Sequence, residues 1–154
     1  IMAQDTELVL RLLEGVPLAA IAVHAESTRY PRRVLRLVAE TGRRAGLAIN
    51  PFGAVPDVRT LAPYLSYLLV LTTDPEQGEA PFLDRRLVVV TELAEQLAGT
   101  GIPIIVDGGV DDANARQIAA AGASGVVAGR ALFRATDMAA TAARIRMGDT
   151  DGAV

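Results

Sequence analysis

No cysteine occurs among the 154 residues, and none of the fifteen basic residues is a lysine. The first absence excludes disulfides, thiolate nucleophiles and cysteine-ligated zinc. The second excludes Schiff-base chemistry, and with it the lysine-dependent aldolases, unless a segment outside this sequence supplies the amine. His24 is the single histidine, so no multi-histidine metal site can be assembled from these residues. A net charge of −3 provides no extended positive field, which sets aside nucleic-acid phosphates and anionic membranes as partners. No apolar run approaches the roughly 20 residues that span a bilayer. The N-terminus lacks the basic, apolar and small-residue regions of a signal peptide, and the chain reads as cytoplasmic.

What is present is a hydrophobic fraction of 51%, enough at this length for one domain with a core. Short apolar runs bounded by turn residues alternate with longer amphipathic segments, the pattern of βα units and a parallel sheet. The runs Leu18 to His24, Gly46 to Asn50, Tyr67 to Thr72, Ile102 to Val106 and Gly125 to Ala128 are short and nearly all apolar, as expected for strands covered on both faces.

Between them the apolar spacing turns helical: Leu83, Leu87, Val90, Ala94 and Leu97 fall three or four apart, as do Val34, Leu37, Val38 and Thr41. Leu8, Leu12 and Val16 suggest another helix, opened by Asp5 or Thr6. Asp111 or Asp112 can cap one running to Ala121, and a last helix is expected from about Ala131 to Met147. Five parallel strands with right-handed helical crossovers form either an open doubly wound sheet or part of a barrel. No glycine-rich fingerprint follows the first strand, so dinucleotide binding has little support.

In such folds functional groups collect where strands end. Four junctions carry residues suited to chemistry. In IPIIVDGGV an apolar strand delivers Asp107 to its end, with Gly108 and Gly109 permitting close backbone approach by a ligand; the same three residues also suit a plain tight turn. In SGVVAGRALF the backbone of Gly129 and Arg130 leads a helix and can cradle phosphate, with the Arg130 guanidinium adding charge; the alternative is a turning glycine and a solvated arginine. In LLVLTTDPEQGEAPF the strand enters a polar loop long enough for a lid, bearing Glu76 and Glu79, whose carboxylates repel phosphate unless they bind a cation or point outward; the alternative is a plain solvated loop. In IAVHAES, His24 and Glu26 share a face at another strand end. A lone histidine reads as a structural hydrogen-bonding residue, and no proton transfer is assigned to it.

Taken in order, these segments resemble the ribulose-phosphate 3-epimerase family. IMAQDTELVL is similar to the family's LMV strand end and following helix, IAVHAES to TFHVEA, and GLAINP to GLALNP. LVLTTDPEQGEAPF is similar to LVMTVNPGFGGQKF without a gap, IIVDGGV to VDGGV, and VVAGRALF to VAGSAIF. VDGG and AGxAxF are individually common in phosphate-binding barrels, whereas six segments in this order are specific. The resemblance runs from Ile1 to about Arg146.

It implies an α/β parallel (βα) barrel of TIM type, of which residues 1–147 make about five βα units; the polar, Gly-rich run at 148–154 is expected to be a flexible tail. It also implies epimerisation of a ketopentose phosphate by two aspartates, assisted by a divalent metal: zinc, iron, manganese or cobalt. By match, Asp107 is one of that pair and a metal ligand. Gly108, Gly109, Gly129 and Arg130 match phosphate-binding positions, and Glu76, Gln77, Gly78 and Glu79 match the Gly-Phe-Gly-Gly clamp, with more negative charge and less backbone freedom. Leu71 stands where the family has Met, and Arg130 where it has Ser.

The second aspartate and the ligand histidines match positions ahead of Ile1. The chain alone is therefore expected to bind no catalytic metal, to be inactive and to self-associate through its exposed sheet edges. The alternative is a non-catalytic phosphosugar-binding pseudoenzyme or assembly module. A third class, a phosphate-handling barrel enzyme acting on an indole or histidine precursor, fits the HAE and NP segments less well.

Overall fold

The computed structural model describes residues 1–147, and the tail expected at 148–154 lies outside them. Five strands, β1 (Ala20–His24), β2 (Arg44–Ile49), β3 (Tyr67–Leu71), β4 (Ile104–Asp107) and β5 (Gly125–Val127), form one sheet. Every pairing is parallel and the order across the sheet is the order in the chain. A doubly wound sheet reverses its strand order at a switch point, so this sequential arrangement is that of a barrel arc. Among the described residues β1 and β5 are not paired with each other, and the arc stays open.

The N-terminal residue adds one rung at the β1 edge: the Ile1 amine donates to the Ala22 carbonyl, and the His24 N–H donates to the Ile1 carbonyl at 3.2 Å. Ile1 thus lies where a further parallel strand would pair.

The strands alternate strictly in what they face. Ile21, Val23, Leu47, Ile49, Leu68, Val70, Ile104 and Val106 point into one core with the helices α2 (Pro31–Glu40), α3 (Leu87–Gln96) and α4 (Ala115–Ala120). Helix α2 shows why the sequence forms it: Pro31 opens the first turn, Val34, Leu35 and Val38 are buried, and Arg32, Arg33 and Arg36 face water. The opposite parity, His24, Ala48, Leu69, Leu71, Ile105 and Asp107, faces the concave side.

Two helix expectations need correction. α1 (Thr6–Leu12), capped by Asp5 through its carboxylate and the Leu8 N–H, stops before Val16, because Gly15 turns the chain at φ 84°. Leu12 is 71% exposed, so the stripe expected to cover the sheet is largely open to solvent. The single last helix is instead α5 (Arg130–Phe133) and α6 (Met138–Met147). Asp137 starts α6 anew, accepting from the Ala140 N–H at 2.9 Å, while the Thr141 hydroxyl donates to its carbonyl.

Candidate active site

Strand β4 ends on Asp107, which faces the concave side together with Ile105 while Ile104 and Val106 are buried beneath the helices. Burial raises the pKa of the Asp107 carboxyl from its ordinary value. Among the described residues its carboxylate has no hydrogen-bond or ion-pair partner. The turn is held through the main chain instead. The fully buried Thr72, just beyond β3, donates its N–H to the Asp107 carbonyl at 2.8 Å and directs its hydroxyl at the carbonyls of Asp107 and Gly108, at 3.1 and 2.6 Å. The local-turn alternative is therefore half right, since the main chain of Asp107 makes the turn and its side chain is left free.

Both following glycines have positive φ, 118° at Gly108 and 67° at Gly109. Gly108 approaches the Thr73 backbone so closely that an added Cβ would stand 2.8 Å from its nitrogen. The side-chain amide of buried Asn114 donates to the Gly109 carbonyl at 2.9 Å and accepts from the Asp111 N–H at 3.0 Å. Asp111, rather than Asp112, caps the turn into α4, accepting from the N–H groups of Ala113 and Asn114. Thr72 and Asn114 thus position the site, although neither was singled out from sequence. The DDAN run beside the glycines is the signal for Asn114, and a threonine closing an apolar strand is the signal for Thr72.

The residues after β5 reach back across the loop after β3. Arg130 donates to the Ala80 carbonyl at 3.0 Å, and Arg134 pairs with Glu79 at 2.5 Å. That hydrogen bond holds the Glu79 carboxyl below its ordinary pKa. Asp74 folds the loop into a turn by accepting from the Glu76 N–H and the Gln77 side chain, both at 2.9 Å. Glu76, Gln77 and Gly78 are exposed on that turn, and a Cβ at Gly78 would meet nothing. Of the expected clamp, Glu79 alone borders a cleft of about 840 Å³ that is also lined by Gly109, Arg130 and Arg134. Asp107 lies beside this cleft rather than in its wall. The helix expected to lead from Gly129 is the four-residue α5, too short to supply much dipole.

His24 is buried, and its Nδ1 lies 3.9 Å from the Glu26 carboxylate. Desolvation lowers its pKa, so it is neutral near pH 7. Two strands stand between β1 and β4, and among the described residues no hydrogen bond or ion pair joins His24 to Asp107.

This arrangement coincides with a family whose model, described as the ribulose-phosphate 3 epimerase family, matches residues 1–133. The chain belongs to the ribulose-phosphate 3-epimerase family. Relatives within it include the ribulose-phosphate 3-epimerase of Aquifex aeolicus, 29% identical over 129 residues that cover 82% of this chain and 58% of that protein. The enzyme of that name from Eremothecium gossypii is 36% identical over 114 residues, covering 74% of this chain and 47% of that one. The chain thus spans about half to two thirds of the length of the curated relatives it matches.

The fold is also that of 3-hexulose-6-phosphate synthase from Salmonella typhimurium, with a TM-score of 0.72 at 22% identity over 97% of this chain and 69% of that one. Phosphoribosyl anthranilate isomerase from Thermus thermophilus gives 0.60 at 23% identity over 92% and 68%. At such identities the likeness is one of architecture, an incomplete TIM-type barrel.

The divalent metal that the family resemblance implies is not accommodated by these side chains alone. Among the described residues no three of His, Cys, Asp or Glu come together in a set able to hold an ion. Asp107 would be one ligand among others that the described residues do not bring to it. No helix among the described residues is long and apolar enough to cross a membrane.

Proposed function

We propose that this chain forms the C-terminal part of an epimerase site for a ketopentose phosphate, with Asp107 as one of two proton-transfer groups. The observation that carries the reading is a half-buried carboxylate at a strand end, without a partner among the described residues, in a chain of the ribulose-phosphate 3-epimerase family. Epimerisation next to a ketone breaks one C–H bond, leaves its electron pair on an enediolate, and returns a proton to the opposite face. A carboxylate whose basicity is raised by burial suits the first or the last of these steps.

A single carboxylate cannot serve both faces, and from this follows the proposal that the chain alone is inactive. Gly108, Gly109, Gly129 and Arg130 are the proposed phosphate side, because their loops converge around the cleft beside Asp107. A cytoplasmic setting and self-association accompany the reading as proposals.

The test is epimerisation of ribulose 5-phosphate by this chain and by the same chain joined to the leading strands of the Aquifex aeolicus relative. Activity in the joined form only is expected. Phosphosugar binding without turnover in both forms would instead favour the non-catalytic module, a reading to which the exposed acidic loop at Glu76 and Glu79 lends some weight.

A further inference from the structure

Three arginines line the large cleft, and they are engaged differently. Arg144 on α6 is held by Asp112 at 2.7 Å and by the Thr141 hydroxyl at 2.9 Å. Arg130 spends one guanidinium nitrogen on a neutral acceptor, the Ala80 carbonyl. Arg134, one helical turn further on, is held among the described residues by the Glu79 carboxylate alone. Both ends of that pair are open to solvent, with side chains 67% and 69% exposed, and water screens such a pair strongly. The other carboxylates of the cleft are committed: Asp111 to the N–H groups of Ala113 and Asn114, Asp137 to that of Ala140, and Asp112 to Arg144.

Arg130 and Arg134 thus face the same dipeptide, Glu79-Ala80, across the opening of a cleft floored by Gly109. We infer that Arg134 is a second anion-binding side chain of this cleft, and that Glu79 sits on it as an internal anion which a phosphate monoester displaces. The inference rests on the phosphosugar reading above and adds to it a side chain and a competitor.

A phosphate dianion carries twice the charge of the carboxylate and three acceptor oxygens suited to the guanidinium fork, so it wins the exchange at the cost of one screened ion pair. The arrangement also explains how a negatively charged loop can border a phosphate site. While the cleft is empty Glu79 is neutralised by Arg134, and once phosphate binds Glu79 is free to turn into solvent.

The experiment is a titration of the chain with inorganic phosphate at constant ionic strength, followed by amide chemical shifts, for the parent, Glu79→Gln and Arg134→Gln. If the ion pair were merely structural, breaking it from either end would move phosphate binding in the same direction. The inference requires opposite directions: E79Q tightens binding several-fold and R134Q weakens it by about tenfold. The double variant loses most of the E79Q gain, since the competitor matters only where there is an arginine to occupy. Shifts of the same sign, or no saturable phosphate binding in any of the forms, overturn it. An absence of epimerase activity in the joined enzyme would count against the parent reading without altering these signs.

Discussion

Replacing Gly108 by alanine tests the turn that presents Asp107. The backbone there has φ 118°, a conformation that costs a residue with a side chain about 1–3 kcal/mol. The new methyl would also stand 2.4 Å from the Thr73 hydroxyl oxygen and 2.8 Å from the Thr73 nitrogen. The hydroxyl can rotate away but the nitrogen cannot, and forcing such a contact adds about 1–3 kcal/mol. G108A is therefore expected to destabilise the fold by about 2–6 kcal/mol, a large fraction of a typical domain's stability. Gly78, in the neighbouring loop, provides the control, since a Cβ there meets nothing within 4 Å and its φ is not in the left-handed range. G78A should be neutral, or stabilising by up to about 1 kcal/mol through the unfolded chain. Urea unfolding of both variants by circular dichroism decides the matter. Midpoints corresponding to within about 0.5 kcal/mol of each other would refute the reasoning.

Further expectations follow from single buried groups. Because burial raises the Asp107 pKa above its unfolded value near 3.8, its contribution to stability is fully present below that value and is lost as pH rises through the folded one. D107N should consequently be more stable than the parent at pH 7 and lose that advantage in acid, and a pH-independent difference in unfolding would contradict the assignment. Arg86 is 7% exposed; among the described residues its Nε has no partner, and its one side-chain hydrogen bond, to the Asn50 carbonyl, is 3.3 Å long. R86M, which keeps the volume and removes a poorly compensated buried charge, is expected to raise stability by about 1–3 kcal/mol, and a lowered urea midpoint would count against it. T72V removes the hydroxyl that holds the Asp107 and Gly108 carbonyls and should cost about 1–2 kcal/mol, measured the same way. Sedimentation of the chain should show self-association through its open sheet edges, and a stable monodisperse monomer would be the contrary result.

The strands were legible because parallel strands buried on both faces leave near-continuous apolar runs, and each expected run overlaps its observed strand to within about two residues. Sequential order was legible through the family resemblance, which implies a barrel, and not through periodicity, which carries no information about which strands pair. The break before α6 could have been read from Asp137, an N-cap residue, but the alanine-rich run around it hides the interruption. α1 shows the opposite error: Leu8, Leu12 and Val16 keep helical spacing, yet the helix ends and the stripe stays exposed, because spacing does not reveal whether a partner surface is present. At the site, Asp107 and its glycines stood out by composition and position. The contacts of Arg130 and Arg134 with Ala80 and Glu79 join residues 50 and 55 positions apart, and only the folded arc brings them together.

The most direct measurement is deuterium incorporation at carbon 3 of ribulose 5-phosphate in heavy water, by this chain joined to the leading strands of a relative, with and without D107N. Incorporation by the parent that falls by about 10²–10⁴ in D107N is the expected result. Incorporation at an undiminished rate in D107N would contradict the assignment of proton transfer to Asp107, and with it the reading of the β4 end as half of an epimerase site.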